Sequence, residues 1–171
     1  MIFRKRASKD EDRRNPAARE VARLLDVHMP DADDETRRLV AALAGLLACV
    51  AYADREYEPS EQAHIREELG HVHGLNAAGV DAICALLDAE IVELASGNTQ
   101  NYTRDLRELA ALGTRREILE VLVDLAAADG AVTTEETNLL RRATTAMGLE
   151  DGDYLAAQAR HRERLSVLNT D

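Results

Sequence analysis

Two stretches decide the reading of this chain: Leu47-Ala48-Cys49-Val50-Ala51-Tyr52-Ala53-Asp54 and Leu122-Val123-Asp124-Leu125-Ala126-Ala127-Ala128-Asp129-Gly130. A shift of 75 residues lays Leu47, Val50, Ala51, Ala53 and Asp54 over Leu122, Leu125, Ala126, Ala128 and Asp129. Beyond the aspartates, Tyr57, Glu61, Ile65 and Arg66 fall over Val132, Glu136, Leu140 and Arg141. Each pair keeps its chemical type. The repeated unit is an apolar helix, an Ala-Asp turn, an apolar residue three positions on, and an acidic first turn of the next helix.

Outward from these stretches the pattern stays helical. Leu39, Leu43, Leu46, Leu47 and Val50 recur at spacings of three and four and predict the core face of a long helix capped by Asp33 or Asp34. Pro16 opens a short helix that Pro30 ends, and Pro59 stands where a first helical turn accepts proline, ahead of Ile65, Leu69 and Val72. Asn76 caps a fourth helix running toward Ser96-Gly97-Asn98, and Tyr102 to Leu109 makes a short fifth. Thr114 with Glu117 reads as a capping box, Thr134 as the cap of the next helix and Asp151 as that of the last. No segment alternates with period two for long enough to predict a strand. Residues 1–15 read as a disordered, charged leader and 16–171 as one helical domain.

Composition narrows the function. The 171 residues hold no Trp and one Phe, so the core must be aliphatic. Residues 1–23 carry eight Lys/Arg against four Asp/Glu, which leaves the rest of a chain of net charge −11 at −15. So acidic a body repels phosphate backbones, which argues against nucleic acid, and attracts cations or basic partners. The charged opening and the lack of a long apolar run predict a cytoplasmic protein without direct membrane insertion. Cys49 and Cys84 lie in Ala/Leu-rich segments and read as buried thiols. Neither a Gly-x-Ser-x-Gly elbow nor a phosphate-binding loop is present, so the chain is not expected to be an enzyme; a thiol enzyme using Cys49 or Cys84 would need a reactive sulfur.

The Ala-Asp loops admit two readings. As architecture, Gly130 supplies a left-handed exit, Val132 tucks the loop onto the core, and Glu135 and Glu136 favour the next helix through its dipole. In the first copy Arg55 replaces that glycine, at a cost of about 1 kcal/mol if left-handed, so a differently shaped loop is expected there. As chemistry, Asp129 to Glu136 matches the second half of an EF-hand loop, while Leu125 and Ala127 stand where its first ligands would be. Any calcium or magnesium site must then take its remaining oxygens from water or from the other loop's acids. Asp129 and Glu136 are the carboxylates that this spacing offers. His64, Glu68 and His71 share a helical face at a spacing that suits a transition metal, but solvated or capping histidines on a polar flank account for it better. Arg160-His161-Arg162-Glu163-Arg164 reads as a solvated helix end.

At these residues the chain resembles the TerB family. Besides the two quoted stretches, Glu58-Pro59-Ser60-Glu61, Tyr102-Thr103-Arg104-Asp105-Leu106, Gly148-Leu149 and Asp153-Tyr154 carry the likeness, over about residues 36–165. The resemblance implies an all-α, compact bundle of about seven or eight helices built from two pseudo-repeated helix-loop-helix units. It implies Asp54 and Asp129 as metal-contacting residues with Glu61 and Glu136 beside them, and a non-enzymatic role in tellurite resistance and membrane stress. A protein partner, membrane-associated among them, is implied as well; a related domain occurs in a membrane-anchored co-chaperone. The alternative is a purely structural interaction adapter with no cation site.

Overall fold

The computed structural model describes residues 15–96 and 99–168, with side chains to Glu163; residues 1–14 of the expected leader, Gly97-Asn98 and residues 169–171 lie outside the described residues. Eight helices appear there and no strand: α1 Pro16–His28, α2 Asp34–Ala51, α3 Pro59–Gly70, α4 Ala77–Ala95, α5 Thr99–Leu109, α6 Leu112–Ala126, α7 Thr134–Ala146 and α8 Asp151–Leu168.

Helix α2 is the hub, packing against α1, α3, α4, α5, α6 and α7. Its sequence explains how. From Ala44 to Ala51 every residue is buried, so the single apolar face expected from the Leu39-Leu43-Leu46 spacing widens into a helix surrounded on all sides, while Leu39 and Leu43 lie half-buried at its edge. Small residues make this possible. Gly45 lies under the Tyr102 ring of α5, and a Cβ there would come 2.3 Å from the ring. Tyr102 completes the contact by donating its hydroxyl to the Leu94 carbonyl at 3.3 Å. The Cys49 thiol points at the same end of α4, 3.7 Å from the Ala95 carbonyl.

Local signals place most helix ends. Asp33 accepts from the Thr36 amide at 2.7 Å, Asn76 from Gly79 at 2.8 Å, and Pro59 opens α3. Three expected caps move. Helix α6 begins at Leu112, ahead of the Thr114–Glu117 pair, after an Ala111 cap that makes no side-chain hydrogen bond. The cap of α7 is Thr133, one residue before Thr134, because only Thr133 stands three positions ahead of Glu136. At α8 it is Asp153, reaching back to the Glu150 amide at 2.9 Å, that closes the first turn, with Asp151 already helical.

Two residues of the charged run on α8 reach α6: Arg160 pairs with Glu120, and His161 Nδ1 lies 2.6 Å from Asp124. Of the solvated end expected there, Arg162 and Glu163 are exposed as read, while Arg160 and His161 clamp onto α6.

The Gly45–Tyr102 approach generates a test. Gly45→Ala is expected to cost about 1–3 kcal/mol in urea unfolding because the ring must be displaced, whereas Gly70→Ala, which meets nothing within 4 Å, should leave stability unchanged or raise it slightly.

Candidate functional site

The two Ala-Asp loops follow the C-termini of α2 and α6, and their hydrogen bonds correspond residue by residue. After α2, the Tyr52, Ala53 and Arg55 amides donate to the Ala48, Val50 and Tyr52 carbonyls at 3.1 Å each. After α6, Ala127, Ala128 and Gly130 donate to Val123, Leu125 and Ala127 at 3.2, 3.0 and 3.0 Å. Asp54 then turns its Oδ1 onto the Glu56 amide at 2.9 Å, and Asp129 does the same to Ala131 at 2.9 Å. Both are turns in which an aspartate stands in for a backbone acceptor two residues ahead.

The expectation that Arg55 reshapes the first loop is overturned. Arg55 takes φ +70 beside the φ +96 of Gly130, so both loops leave their helix through a left-handed residue. The arginine bears the steric cost because the surrounding hydrogen bonds fix the turn. Val132 departs from expectation too: at 43% exposure it stands in solvent instead of on the core, while its counterpart Tyr57 is half-buried against it. Tyr52, on the other flank of the first loop, is half-buried as well.

Glu61 and Glu136 have a role the sequence signalled but did not settle. Each sits at the third position of its helix and is buried, 7% and 4% exposed. Glu61 Oε2 accepts from the Glu58 amide at 2.8 Å; Glu136 Oε2 accepts from the Thr133 amide at 2.7 Å and its hydroxyl at 2.8 Å. These bonds satisfy amides that the helix start would leave unpaired. Thr133-Thr134-Glu135-Glu136 carries the Thr-x-x-Glu signature that could have identified the cap.

Glu61 lies near enough to feel the other three candidate carboxylates, and Glu136 to feel Asp54 and Asp129. Burial pushes the Glu61 carboxyl up to about 7, with Glu136, Asp54 and Asp129 adding repulsion against the stabilising Glu58 amide. Glu136 is also raised by burial, opposed by its bonds to Thr133 and reinforced by Asp54 and Asp129. Among the described residues, however, no group of three or more His, Cys, Asp or Glu side chains is arranged to hold a metal ion. That includes His64, Glu68 and His71: Glu68 lies 3.8 Å from His64 and 4.0 Å from His71, and the buried His64 Nε2 has no hydrogen-bond partner.

The thiols are placed as expected. Cys49 and Cys84 are buried and free, and burial lifts the Cys49 thiol to about 11 and Cys84 above its ordinary range. No helix among the described residues is long and apolar enough to cross a membrane.

An all-helical, acidic bundle with two Asp-turn loops, each closed by a buried glutamate, is the class of protein these observations define. The family model described as tellurite resistance protein TerB matches residues 40–159. The chain belongs to the TerB family. No curated protein and no solved structure matches it significantly.

Two outcomes are expected from this geometry. Arg55→Gly should raise stability by roughly 0.5–1 kcal/mol by relieving the left-handed backbone, and Gly130→Ala should lower it by a similar amount, both read from chemical unfolding. In pH, an unfolded glutamate titrates at the ordinary value of 4.5 and Glu61 in the fold at about 7. Between those values the native state binds more protons, so stability should fall as pH rises through this window and level off above it. Melting curves of Glu61→Gln, which keeps the capping bond, should show a flatter profile across the same window.

Proposed function

We propose that this chain is a non-enzymatic, tellurite resistance-associated stress-response module that acts in the cytoplasm by binding protein partners, a membrane-associated one among them, and takes up calcium or magnesium at its paired acidic loops. The supporting observation is the state of the four carboxylates. Each has one oxygen fastened to a backbone amide, at Glu56, Glu58, Ala131 and Thr133, which leaves Asp54 Oδ2, Glu61 Oε1, Asp129 Oδ2 and Glu136 Oε1 uncommitted among the described residues. Four hard oxygens whose charges repel, strongly enough to help hold Glu61 near 7, suit a divalent cation with water filling the remaining positions. Capture of the ion would draw the two loops together and release the Glu61 proton, which links the cation to the shape of the surface offered to a partner. The buried, high-pKa thiols speak for the non-enzymatic part of the reading, since a nucleophilic or redox sulfur must reach its thiolate.

The second reading, a structural adapter with no cation site, is favoured by the absence of a preformed ligand cluster among the described residues and by the capping work that each glutamate already performs.

Titrating the isotope-labelled protein with calcium and then magnesium separates the two. The cation reading expects saturable amide shifts at both loops, around Asp54 and Asp129, that disappear in the Asp54→Asn/Asp129→Asn variant. Shifts that fail to saturate below millimolar cation, or that spread evenly over the acidic surface, would leave the adapter reading standing.

A further inference from the structure

Beside the first Ala-Asp loop, two adjoining hollows run between α5 and α7 and on to the C-terminal ends of α2 and α4, with Thr99, Leu139, Arg141 and Arg142 as shared walls. Leu139 lies at the floor, and Val92, 58% exposed, stands at the rim on α4. Three guanidinium groups border this apolar strip: Arg55, from the first Ala-Asp loop, at one end, and Arg141 and Arg142 along the side. Two carboxylates, Glu135 and Asp151, share the lining, so the groove is cationic by one charge on a body of net −15.

The arginines differ in how they are held. Arg141 stacks over the Tyr154 ring, 5.4 Å from its centroid. Arg55 and Arg142 are exposed and form no ion pair among the described residues, a state they share with Arg19, Arg107 and Arg162, whereas Arg23, Arg37, Arg38, Arg66, Arg116 and Arg160 are paired. On so acidic a surface, two guanidiniums left uncommitted beside exposed apolar surface are placed to meet carboxylates from outside.

We propose that this groove receives an acidic amphipathic helix of a partner protein, its apolar face on Leu139 and Val92 and its carboxylates on Arg55, Arg141 and Arg142. A helix suits the site because the groove is walled by helices and offers no strand edge for an extended peptide to join. Guanidinium groups bind carboxylates through paired, directional hydrogen bonds. Contacts of this kind act at a few ångströms, whereas the repulsion from the distant acidic body is screened beyond about 8–10 Å at physiological salt. At contact distance the neighbouring carboxylates still repel an acidic ligand, so the groove's arginines set register as well as attraction. The proposal rests on the partner-binding half of the function given above and is independent of the cation half.

The test uses the full chain and three probes: a roughly 18-residue helix-forming peptide with leucines on one face and glutamates on the other, its lysine counterpart, and phosphatidylglycerol vesicles. Binding is followed by fluorescence anisotropy of the labelled peptides, by vesicle co-sedimentation and by amide shifts, each in EDTA and in calcium. The glutamate peptide is expected to bind in EDTA, with shifts centred on Val92, Leu139 and Arg142, and Arg55→Gln/Arg142→Gln should weaken it about tenfold while leaving the helical circular dichroism and Tm unchanged. Arg142→Glu alone provides a second variant away from the first loop and should weaken binding in the same direction. Preference for the lysine peptide or for vesicles, no binding of the glutamate peptide, or binding that ignores the arginine substitutions would overturn the groove assignment. Shifts that map to another face would sink the groove and leave partner binding intact, and a failed cation titration would leave the EDTA result untouched.

Discussion

The structure depends on two buried carboxylates being tied to the backbone at the start of a helix. Glu61 and Glu136 each sit where a loop turns back into the core, and each accepts the amide that the helix cannot pair for itself. Without these bonds the entry to α3 or α7 would bring an unpaired amide and a charge into a nearly dry site, a costly combination. With them, the loop between the Ala-Asp turn and the helix has little freedom left: one end is fixed by the aspartate's turn and the other by the glutamate's cap. The left-handed backbone of Arg55 is tolerated because both anchors hold the chain around it.

The arrangement has an electrostatic cost that explains why these loops are the chemically live part of an otherwise structural bundle. Burial and mutual repulsion both oppose the charge that makes the capping bonds strong, so Glu61 is held near the middle of the physiological range. A carboxyl so poised responds to whatever brings positive charge near it, whether a proton, a cation or a basic side chain. Helix α2, by contrast, contributes mass and no chemistry. Its run of small residues lets six other helices approach closely.

Much of this was legible in the sequence, and the failures have physical reasons. The helices and the paired loops followed from apolar spacing and from the match of Leu47–Arg66 with Leu122–Arg141, because local periodicity and short turns are written in consecutive residues. Thr114–Glu117 was misread as a capping box because the pattern is only three residues deep, and here the chain had already entered the helix at Leu112. Arg55 was expected to break the loop match because a propensity argument sees the cost of the left-handed state and not the hydrogen bonds that outweigh it. Val132 and Tyr57 share a register but not a burial, since the larger ring reaches core that valine does not. The clamp of Arg160 and His161 onto α6 and the arginine-lined groove were invisible for a different reason: their parts come from distant segments, and charge along one helix says nothing about which neighbour it will face.

The tyrosines that flank the first loop also set how the molecule can be watched. With no tryptophan, its near-ultraviolet optics come from four tyrosines, and two of them, Tyr52 and Tyr57, bracket Asp54, while the matching positions of the second loop are the transparent Ala127 and Val132. The two loops share their hydrogen bonds but not their chromophores. Emission and near-ultraviolet dichroism are therefore weighted toward one end of a near-symmetric pair, so the native chain carries an intrinsic optical label on the arginine-bearing loop and none on its glycine-bearing counterpart.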